Sequence, residues 1–213
     1  MTKKILVFSN GEKIGDGIIK LQLLHEIKTR LPNYKLYWLT NKGKTVYSST
    51  LKFIASNYID EILDQADLSP FFWNKISKRY KLENEAFDYI LDTQKSVIRT
   101  VALKRIKHKN FISGSANGFF STKKIKDIKK NQYYLKYILD LLDLIVAKNT
   151  KSDFKIPISK DLEKLICNSL PKDKSCVGIA PGAGEKNKIW SLDNYIELCN
   201  YLERNNKTIV FFI

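Results

Sequence analysis

The chain has 213 residues, 44% of them hydrophobic, and a formal net charge of +15 from 37 basic and 22 acidic residues. This length can bury a substantial core, and the hydrophobic content excludes a disordered tail protein. No apolar run approaches the roughly 20 residues of a membrane-spanning helix, and the apolar start is too short for a signal peptide. We therefore expect a cytoplasmic protein. The charge indicates an anionic partner, but lysine is frequent along the whole chain, which weakens that indication.

The cysteines and histidines predict neither a disulfide framework nor a metal centre. Cys167, Cys176 and Cys199 are odd in number and lack C-x-x-C spacing, and His25 and His108 stand far apart. We expect no bound metal.

A strand, a loop and a helix open the chain. Residues 5–8 predict a buried strand, residues 9–17 a loop rich in turn-forming residues, and residues 18–31 an amphipathic helix. Asp16 stands at the predicted helix start, at the carboxyl end of a strand, where ligands bind in open α/β sheets. Aspartate at a helix start commonly caps the helix, so the residues alone leave both roles open.

Strands and helices continue to alternate as far as residue 147. Strands are predicted at 35–39, 61–63, 87–92 and 110–112, and helices at 46–55, 71–82, 95–104 and 132–147. Residues 114–131 are predicted to form a loop with a run of lysines, which is typical of a solvated surface. This alternation predicts a parallel, doubly wound sheet.

A polar, extended segment at residues 149–157 is typical of a linker. We therefore divide the chain into an N-terminal α/β domain at 1–150, a linker with a short helix at 151–174, and the start of a second domain at 175–213.

The second domain begins with another strand, glycine loop and helix. Residues 177–180 predict a buried strand, Gly182 and Gly184 lie in the loop, and a helix opens near Ser191. Free backbone N–H groups and the helix dipole suit such a loop to an anion, and Lys188 lies in the same loop. A plain strand-to-helix turn with solvated lysines explains the spacing equally well.

Residues 208–213 predict an apolar strand on which the sequence stops. With residues 177–180 and the helix between them, they form a single βαβ unit. Parallel strands are normally buried on both faces, so one helix cannot cover this pair, and Phe211 and Phe212 should be unusually exposed. We expect a truncated second domain, and therefore a chain that by itself binds donor poorly and is inactive.

The glycine loop and the opening loop resemble motifs of the bacterial glycosyltransferase family that includes the lipopolysaccharide heptosyltransferases. Residues 181–183, with Lys188 and Trp190, look like that family's P-G-A-x-x-x-x-K-x-W signature. Gly15 and Asp16, between a strand and an apolar helix, look like its opening motif. The P-G-A element is fairly specific, whereas Gly-Asp after a strand is weak alone.

A third segment, from Asp92 to Gln94, is similar to the family's Asp-x-Gln motif. The resemblance runs in order along essentially the whole chain. Three positions depart from the family pattern: Ser9 replaces a basic residue, Gly17 replaces a branched apolar residue, and Ser191 replaces a frequent proline.

The resemblance implies a GT-B fold, in which two Rossmann-like domains face each other across a cleft. The N-terminal domain would hold the acceptor and the C-terminal domain the nucleotide sugar, with no metal or other cofactor. Asp16 matches the family's catalytic base, and Lys188 matches its phosphate-contacting lysine. Backbone N–H groups of Gly182, Ala183 and Gly184 would lie close to the diphosphate or sugar.

The resemblance also places Gly15, Asp92 and Gln94 on the acceptor side. It implies inverting transfer of a sugar such as heptose from an ADP-heptose-like donor to a lipid-linked or core oligosaccharide acceptor. Such an acceptor would bring the protein to the cytoplasmic face of the inner membrane, and no nucleic acid is expected to bind.

Other functions stay open on the sequence. A related transferase could move another sugar to another glycan, and a catalytically inactive homologue could still bind nucleotides. A basic nucleic-acid-binding protein is favoured by the charge alone, since no interleaved aromatic and basic motif is present. Binding to generic DNA with steep salt dependence would favour that class, and saturable binding of a nucleotide sugar would favour a transferase.

Overall fold

The computed structural model describes residues 2–124, 133–147, 153–171, 175–183 and 186–212. The chain divides into two compact units, Met1–Ile156 and Pro157–Ile213. Within the described residues, no helix has the length and apolar character needed to cross a bilayer.

The first unit is built on a five-stranded sheet in which all paired strands are parallel. Its strands are β1 (Lys3–Ser9), β2 (Tyr34–Thr40), β3 (Glu61–Leu63), β4 (Ala86–Asp92) and β5 (Lys107–Ser113), in the order β3-β2-β1-β4-β5. The central strand β1 alternates between two cores, because successive strand residues point to opposite faces. Ile5 and Val7 enter one core, and Leu6 and Phe8 enter the other. The predicted doubly wound α/β fold is confirmed.

Helices cover both faces of this sheet. They are α1 (Ile14–Arg30), α2 (Lys52–Ala55), α3 (Val97–Lys104) and α4 (Tyr134–Asp143), with 3-10 turns at Val46–Ser48, Leu82–Asn84 and Ser115–Gly118. α1 and α4 contribute to the core that holds Ile5, while α3 contributes to the core that holds Leu6.

Several predicted boundaries, and one predicted element, are wrong. The first helix begins at Ile14 rather than at residue 18, because Gly15 and Gly17 are tolerated within its first turns. Residues 71–82 were expected to be helical, but residues 71–81 form a loop, held by hydrogen bonds between side chains and the backbone, and Leu82 begins a 3-10 turn. The helix predicted at 95–104 begins at Val97, and the apolar side chains of Val97 and Ile98 are exposed.

The second unit contains a helix followed by one βαβ unit. Its elements are α5 (Lys160–Ser169), β6 (Cys176–Ile179), α6 (Leu192–Arg204) and β7 (Thr208–Phe211). β6 and β7 pair in parallel, with Cys176 opposite Thr208. Phe211 and Phe212 are 49% and 64% exposed, which confirms the expectation for a strand pair with a single covering helix.

Candidate functional site

The carboxyl ends of the parallel strands of the first unit lie at one edge of the sheet. β1 and β4 are neighbours there, with Phe8 paired to Asp92, whereas the chain runs from β1 through α1 to β2 on the other side of β1. The strand order therefore reverses between β1 and β4. Ligands of open α/β sheets bind in the crevice outside such a reversal, so the candidate site comprises the loops after Ser9 and Asp92.

Asp16 lies in the first turn of α1, beside the end of β1, and its side chain is exposed. Lys13 is the N-cap residue and no side chain caps this end of the helix, so the capping interpretation of Asp16 is wrong. Within the described residues, the Asp16 carboxylate makes no hydrogen bond or ion pair. The positive end of the helix dipole stabilises a negative charge at this position.

The backbone below Asp16 is packed closely, which explains the glycine that follows it. A Cβ atom at Gly17 would collide with the side chain of Val46 and would lie 3.1 Å from Leu51. The Tyr47 hydroxyl donates to the carbonyl of Gly17 over 2.8 Å. Gly15 has open space around it. The segment after β2 thus fills the volume of a branched side chain and fixes the first turn of α1.

A buried ion pair lies under the same turn and was missed in the sequence. Lys20 donates to the Ser9 hydroxyl over 2.8 Å, and its Nζ lies 3.6 Å from Oε1 of Glu12. Trp38 donates its indole N–H to that carboxylate oxygen over 3.1 Å. Burial lowers the pKa of Lys20, and the negative charges of Glu12 and Asp16 oppose that shift.

One signal could have revealed this pair. Lys20 occupies the same helical stripe as Leu23, Leu24 and Ile27, and a lysine on an apolar stripe needs a buried partner. The second oxygen of Glu12 has no hydrogen-bond partner within the described part of the chain. The pair therefore places a polar, desolvated network directly beneath the candidate base.

Asp92, predicted to line the acceptor side, is fully buried. Its carboxylate accepts hydrogen bonds from the Thr100 hydroxyl (2.7 Å), the Ser113 hydroxyl (2.8 Å) and the backbone N–H of Gln94 (2.9 Å). Burial raises the pKa of Asp92 to about 6, although these three hydrogen bonds oppose the rise. The geometry makes Asp92 a positioning residue, because it orders the loop after β4 without reaching the crevice.

Gln94 is half-buried and lies nearer the surface than Asp92. Its side-chain amide donates to the Thr93 hydroxyl over 3.4 Å, and that hydroxyl donates to the Phe8 carbonyl over 2.8 Å. Thr93 thereby ties the ends of β4 and β1 together. Gln94 is therefore held at the strand reversal with its amide close to the crevice.

A cleft of about 640 Å³ opens beside this edge of the sheet. It is lined by residues from the loops after β2 and β3 and from the start of α3, including Lys42, Phe71, Lys75, Ile98 and Arg99. Most of its charged lining is basic, which favours an anionic ligand. The sequence did not reveal this cleft, because its walls come from three distant segments.

In the second unit, the glycine loop follows β6 directly. Gly182 and Ala183 are exposed, a Cβ atom at Gly182 would meet nothing within 4 Å, and within the described residues neither backbone N–H makes a hydrogen bond. Gly184 lies outside the described residues. Lys188 is exposed at the end of a 3-10 turn, Lys186–Lys188, which separates the loop from α6.

The two residues that end this segment seat it against α6. Ser191 is the N-cap of α6 and accepts a hydrogen bond from the backbone N–H of Asn194 over 3.4 Å. Trp190 is 49% exposed and packs edge-to-face on Tyr195, with ring centroids 5.2 Å apart. An open loop with accessible N–H groups and a lysine fits an anion such as a diphosphate.

The fold and these two loops define an α/β protein with two candidate ligand loops, one in each unit. The model of glycosyltransferase family 9 (heptosyltransferase) matches residues 76–213, more than half of the chain. The chain therefore belongs to glycosyltransferase family 9. The matched range includes Asp92, Gln94 and the glycine loop, whereas Gly15 and Asp16 lie outside it. No curated protein compared with the chain matches it.

Solved structures of this family share the fold. The chain is similar to a glycosyl transferase family 9 protein from Veillonella parvula, at 16% identity and a TM-score of 0.62, over 99% of this chain and 62% of that one. It is also similar to E. coli ADP-heptose lps heptosyltransferase II, at 17% identity and a TM-score of 0.58, over 98% of this chain and 64% of that one. A third similar structure is E. coli heptosyltransferase WaaC with ADP, at 15% identity and a TM-score of 0.57, over 98% of this chain and 66% of that one. The chain thus spans less than two thirds of the length of the first of these proteins.

Proposed function

We propose that the protein containing this chain is an inverting, metal-independent glycosyltransferase. It would transfer a sugar, heptose in our proposal, from a nucleoside diphosphate sugar to an acceptor of the lipopolysaccharide-core type. Membership of family 9 supports the reaction class. The solved E. coli WaaC structures hold ADP and ADP-2-deoxy-2-fluoro heptose, which supports an ADP-heptose-like donor. An acceptor of this type would place the protein at the cytoplasmic face of the inner membrane.

The reaction needs a base and a stabilised leaving group. In the proposed step, Asp16 takes the proton from an acceptor hydroxyl as its oxygen attacks the anomeric carbon of the donor. The bond from that carbon to the diphosphate oxygen breaks, and the nucleoside diphosphate leaves with the electron pair. Lys188 and the backbone N–H groups of Gly182, Ala183 and Gly184 would balance the charge that develops on it.

The position of Asp16 is the observation that carries this proposal. An exposed carboxylate that makes no hydrogen bond or ion pair within the described chain lies at the strand reversal, on a helix turn fixed by Val46 and Tyr47. A fixed, solvent-accessible carboxylate is what a base for a hydroxyl group requires. We place the acceptor between Asp16 and the basic cleft at this edge of the sheet, with Gly15 and Gln94 on the acceptor side and Asp92 ordering the loop after β4.

The Asp16→Asn variant tests this proposal in the full-length enzyme. It keeps the size of the side chain but removes its basicity, and general-base groups typically contribute 10²–10⁴-fold to a rate, so we expect turnover to fall by at least about a hundredfold. Donor binding by calorimetry and the thermal midpoint should stay close to those of the wild type. Product formation from a panel of nucleotide sugars and lipopolysaccharide cores, followed by mass spectrometry, measures the rate and identifies the sugar.

Asp161→Asn is the matched control, because Asp161 also lies exposed in a helix first turn, that of α5. It removes the same interaction with a helix dipole at a position that belongs to neither loop. The control should retain wild-type turnover. Near-wild-type turnover by Asp16→Asn would remove Asp16 from the mechanism.

A further inference from the structure

Three adjacent aromatic side chains project from the first unit in the loop between β3 and β4. Phe71, Phe72 and Trp73 are 51%, 84% and 67% exposed. Phe71 stacks on Trp73 with ring centroids 5.0 Å apart, and Phe72 meets Trp73 edge-to-face at 4.8 Å. We call these three residues the aromatic loop. Large apolar rings grouped on a surface mark an interaction site rather than ordinary exposure.

The backbone that carries the aromatic loop is held firmly from below. The guanidinium group of Arg105 donates to the carbonyls of Ser69 (2.6 Å) and Asn74 (2.5 Å) and, at 3.5 Å, to that of Phe72. The side-chain amide of Asn74 also donates to the Ser69 hydroxyl over 3.2 Å. Both ends of the loop are therefore fixed to one cation at the end of α3, while its rings point away from the core.

The residues around the aromatic loop are strongly basic. From Ser69 to Leu82 the sequence contains no acidic residue but four cations, Lys75, Lys78, Arg79 and Lys81, all of them exposed. Lys78 pairs with Asp67 over 3.0 Å. The remaining cations contribute to the formal net charge of +15 that the chain carries. A planar, negatively charged partner is complementary to this surface.

We propose that the aromatic loop and its cations dock the protein on an anionic lipid bilayer. Tryptophan and phenylalanine partition into the headgroup region of membranes, and lysine and arginine beside them pair with anionic lipids. A rigid tip suits this contact, because no ordering cost is added on binding. The proposal deepens the proposed function: Phe71 also lines the basic cleft, so an acceptor carrying a lipid would enter the cleft from the bilayer.

Vesicle flotation of the full-length protein tests the docking surface. The probes are vesicles of phosphatidylcholine alone and of phosphatidylcholine mixed with phosphatidylglycerol. We expect binding to the mixed vesicles, and a reduction of roughly tenfold or more in the Phe72→Ser/Trp73→Ser variant, since both rings are lost from the headgroup region. Lys75→Gln/Lys81→Gln should weaken binding to the mixed vesicles and lower its sensitivity to salt, because fewer screened charge contacts remain.

Phe53→Ser is the matched control, because Phe53 is 77% exposed elsewhere on the first unit. It should leave flotation unchanged. Trp73 fluorescence should shift to shorter wavelength with mixed vesicles, and the shift should vanish in Trp73→Phe. Equal flotation of the wild type and Phe72→Ser/Trp73→Ser would overturn the proposal and indicate adsorption by net charge alone.

Two further outcomes separate this inference from its alternatives. Self-association that needs no vesicles and is lost in Phe72→Ser/Trp73→Ser would overturn it in favour of contact between copies. Transfer to a delipidated core oligosaccharide should be retained by the same variant. If the double variant retains transfer and also floats like the wild type, the docking surface is refuted and the proposed function stands. If flotation is as expected but the wild type transfers no sugar, the proposed function is refuted and the docking surface stands.

Discussion

The two units of this chain present the same local arrangement, a strand followed by a loop and a helix, in opposite surroundings. The loop after β1 is enclosed by its own unit: Gly11 has a φ of +99°, and a Cβ atom there would lie 2.7 Å from Cα of Gly43. The loop after β6 is open, with nothing within 4 Å of a Cβ atom at Gly182. The candidate base is therefore fixed by packing, whereas the candidate phosphate loop keeps its backbone accessible.

The same contrast holds for the cores. β1 is buried on both faces, from Ile5 to Phe8, whereas Ile179 is the single buried residue among those described in the second unit. Leu192 and Ile196 of α6 are 73% and 50% exposed although the helix is amphipathic. Periodicity therefore predicts which face of a helix is apolar, but not whether that face is covered.

The largest effect we expect comes from breaking the buried pair of the first unit. Lys20→Met leaves the Glu12 carboxylate buried without its cation, and removing one partner of a buried pair typically costs about 3–5 kcal/mol. Urea unfolding of the first unit, followed by the fluorescence of Trp38, measures the loss.

The double variant Glu12→Gln/Lys20→Met is the matched control, since it removes both charges together. Replacing a whole buried pair is often close to neutral, so the double variant should be clearly more stable than Lys20→Met alone. A double variant as unstable as the single one would show that packing, rather than the unpaired charge, causes the loss.

A smaller loss of stability should follow from shortening one strand side chain to alanine in each of the two sheets. Leu6→Ala removes a fully buried side chain from the centre of β1 and should lower the free energy of unfolding by about 2–5 kcal/mol. Val210→Ala, in the partly exposed β7, should cost less than about 1 kcal/mol. Chemical denaturation with separate probes in each unit compares them. Equal losses would contradict the contrast in burial.

Much of the first unit could be predicted, because its strands are short apolar runs with turn residues between them. β3 was predicted at its observed bounds, and the predicted order of strands and helices led to the correct fold class. The start of α1 was missed, because glycine and polar residues at its first turn obscure the apolar stripe. Residues 71–82 were missed because the order of this loop comes from Arg105, a contact that local periodicity does not contain.

The candidate site could be predicted less completely than the fold. Asp16 and the glycine loop follow from motifs, which are local in sequence. The Glu12–Lys20 pair is local in sequence, and its signal, a lysine on an apolar helical stripe, was overlooked. The buried position of Asp92 and the basic cleft depend on which loops meet at the sheet edge. Such meetings join residues far apart in the chain, so spacing alone cannot supply them.

Removing the lysine of the glycine loop in the second unit should have an intermediate effect, on the affinity for the donor. Lys188→Ala should weaken donor and nucleoside diphosphate binding roughly tenfold to a hundredfold, because a charge-assisted hydrogen bond is worth about 1.5–3 kcal/mol. Titration calorimetry with ADP and ADP-heptose measures the affinity in the full-length protein. Turnover should fall as well if the lysine steadies the leaving group.

Lys207→Ala is the control for this experiment. Lys207 is also exposed, but it precedes β7 and so lies at the amino end of the parallel pair, opposite the glycine loop. It removes the same charge and should leave affinity unchanged. Unchanged affinity and turnover in Lys188→Ala would withdraw the phosphate role and leave a solvated lysine in a plain turn.

The smallest expected effect concerns pH and the positioning role of Asp92. Because its pKa is about 6 in the folded protein, against the ordinary value of 3.8, the folded state holds this proton more tightly than the unfolded state does. Ionisation therefore costs stability as the pH rises from about 4 to about 6; the cost is absent below this window and fully present above it. Asp92→Asn lacks this cost, so its stability relative to the wild type should increase as the pH rises across the window, whereas the loss of one acceptor oxygen shifts the whole profile by the same amount at every pH. Urea unfolding of both proteins at a series of pH values measures this difference, with Asp161→Asn as an exposed control whose profile should run parallel to the wild type. If the profile of Asp92→Asn also runs parallel, Asp92 is not the group that titrates, and its hydrogen bonds from Thr100 and Ser113 hold the loop after β4 regardless of pH.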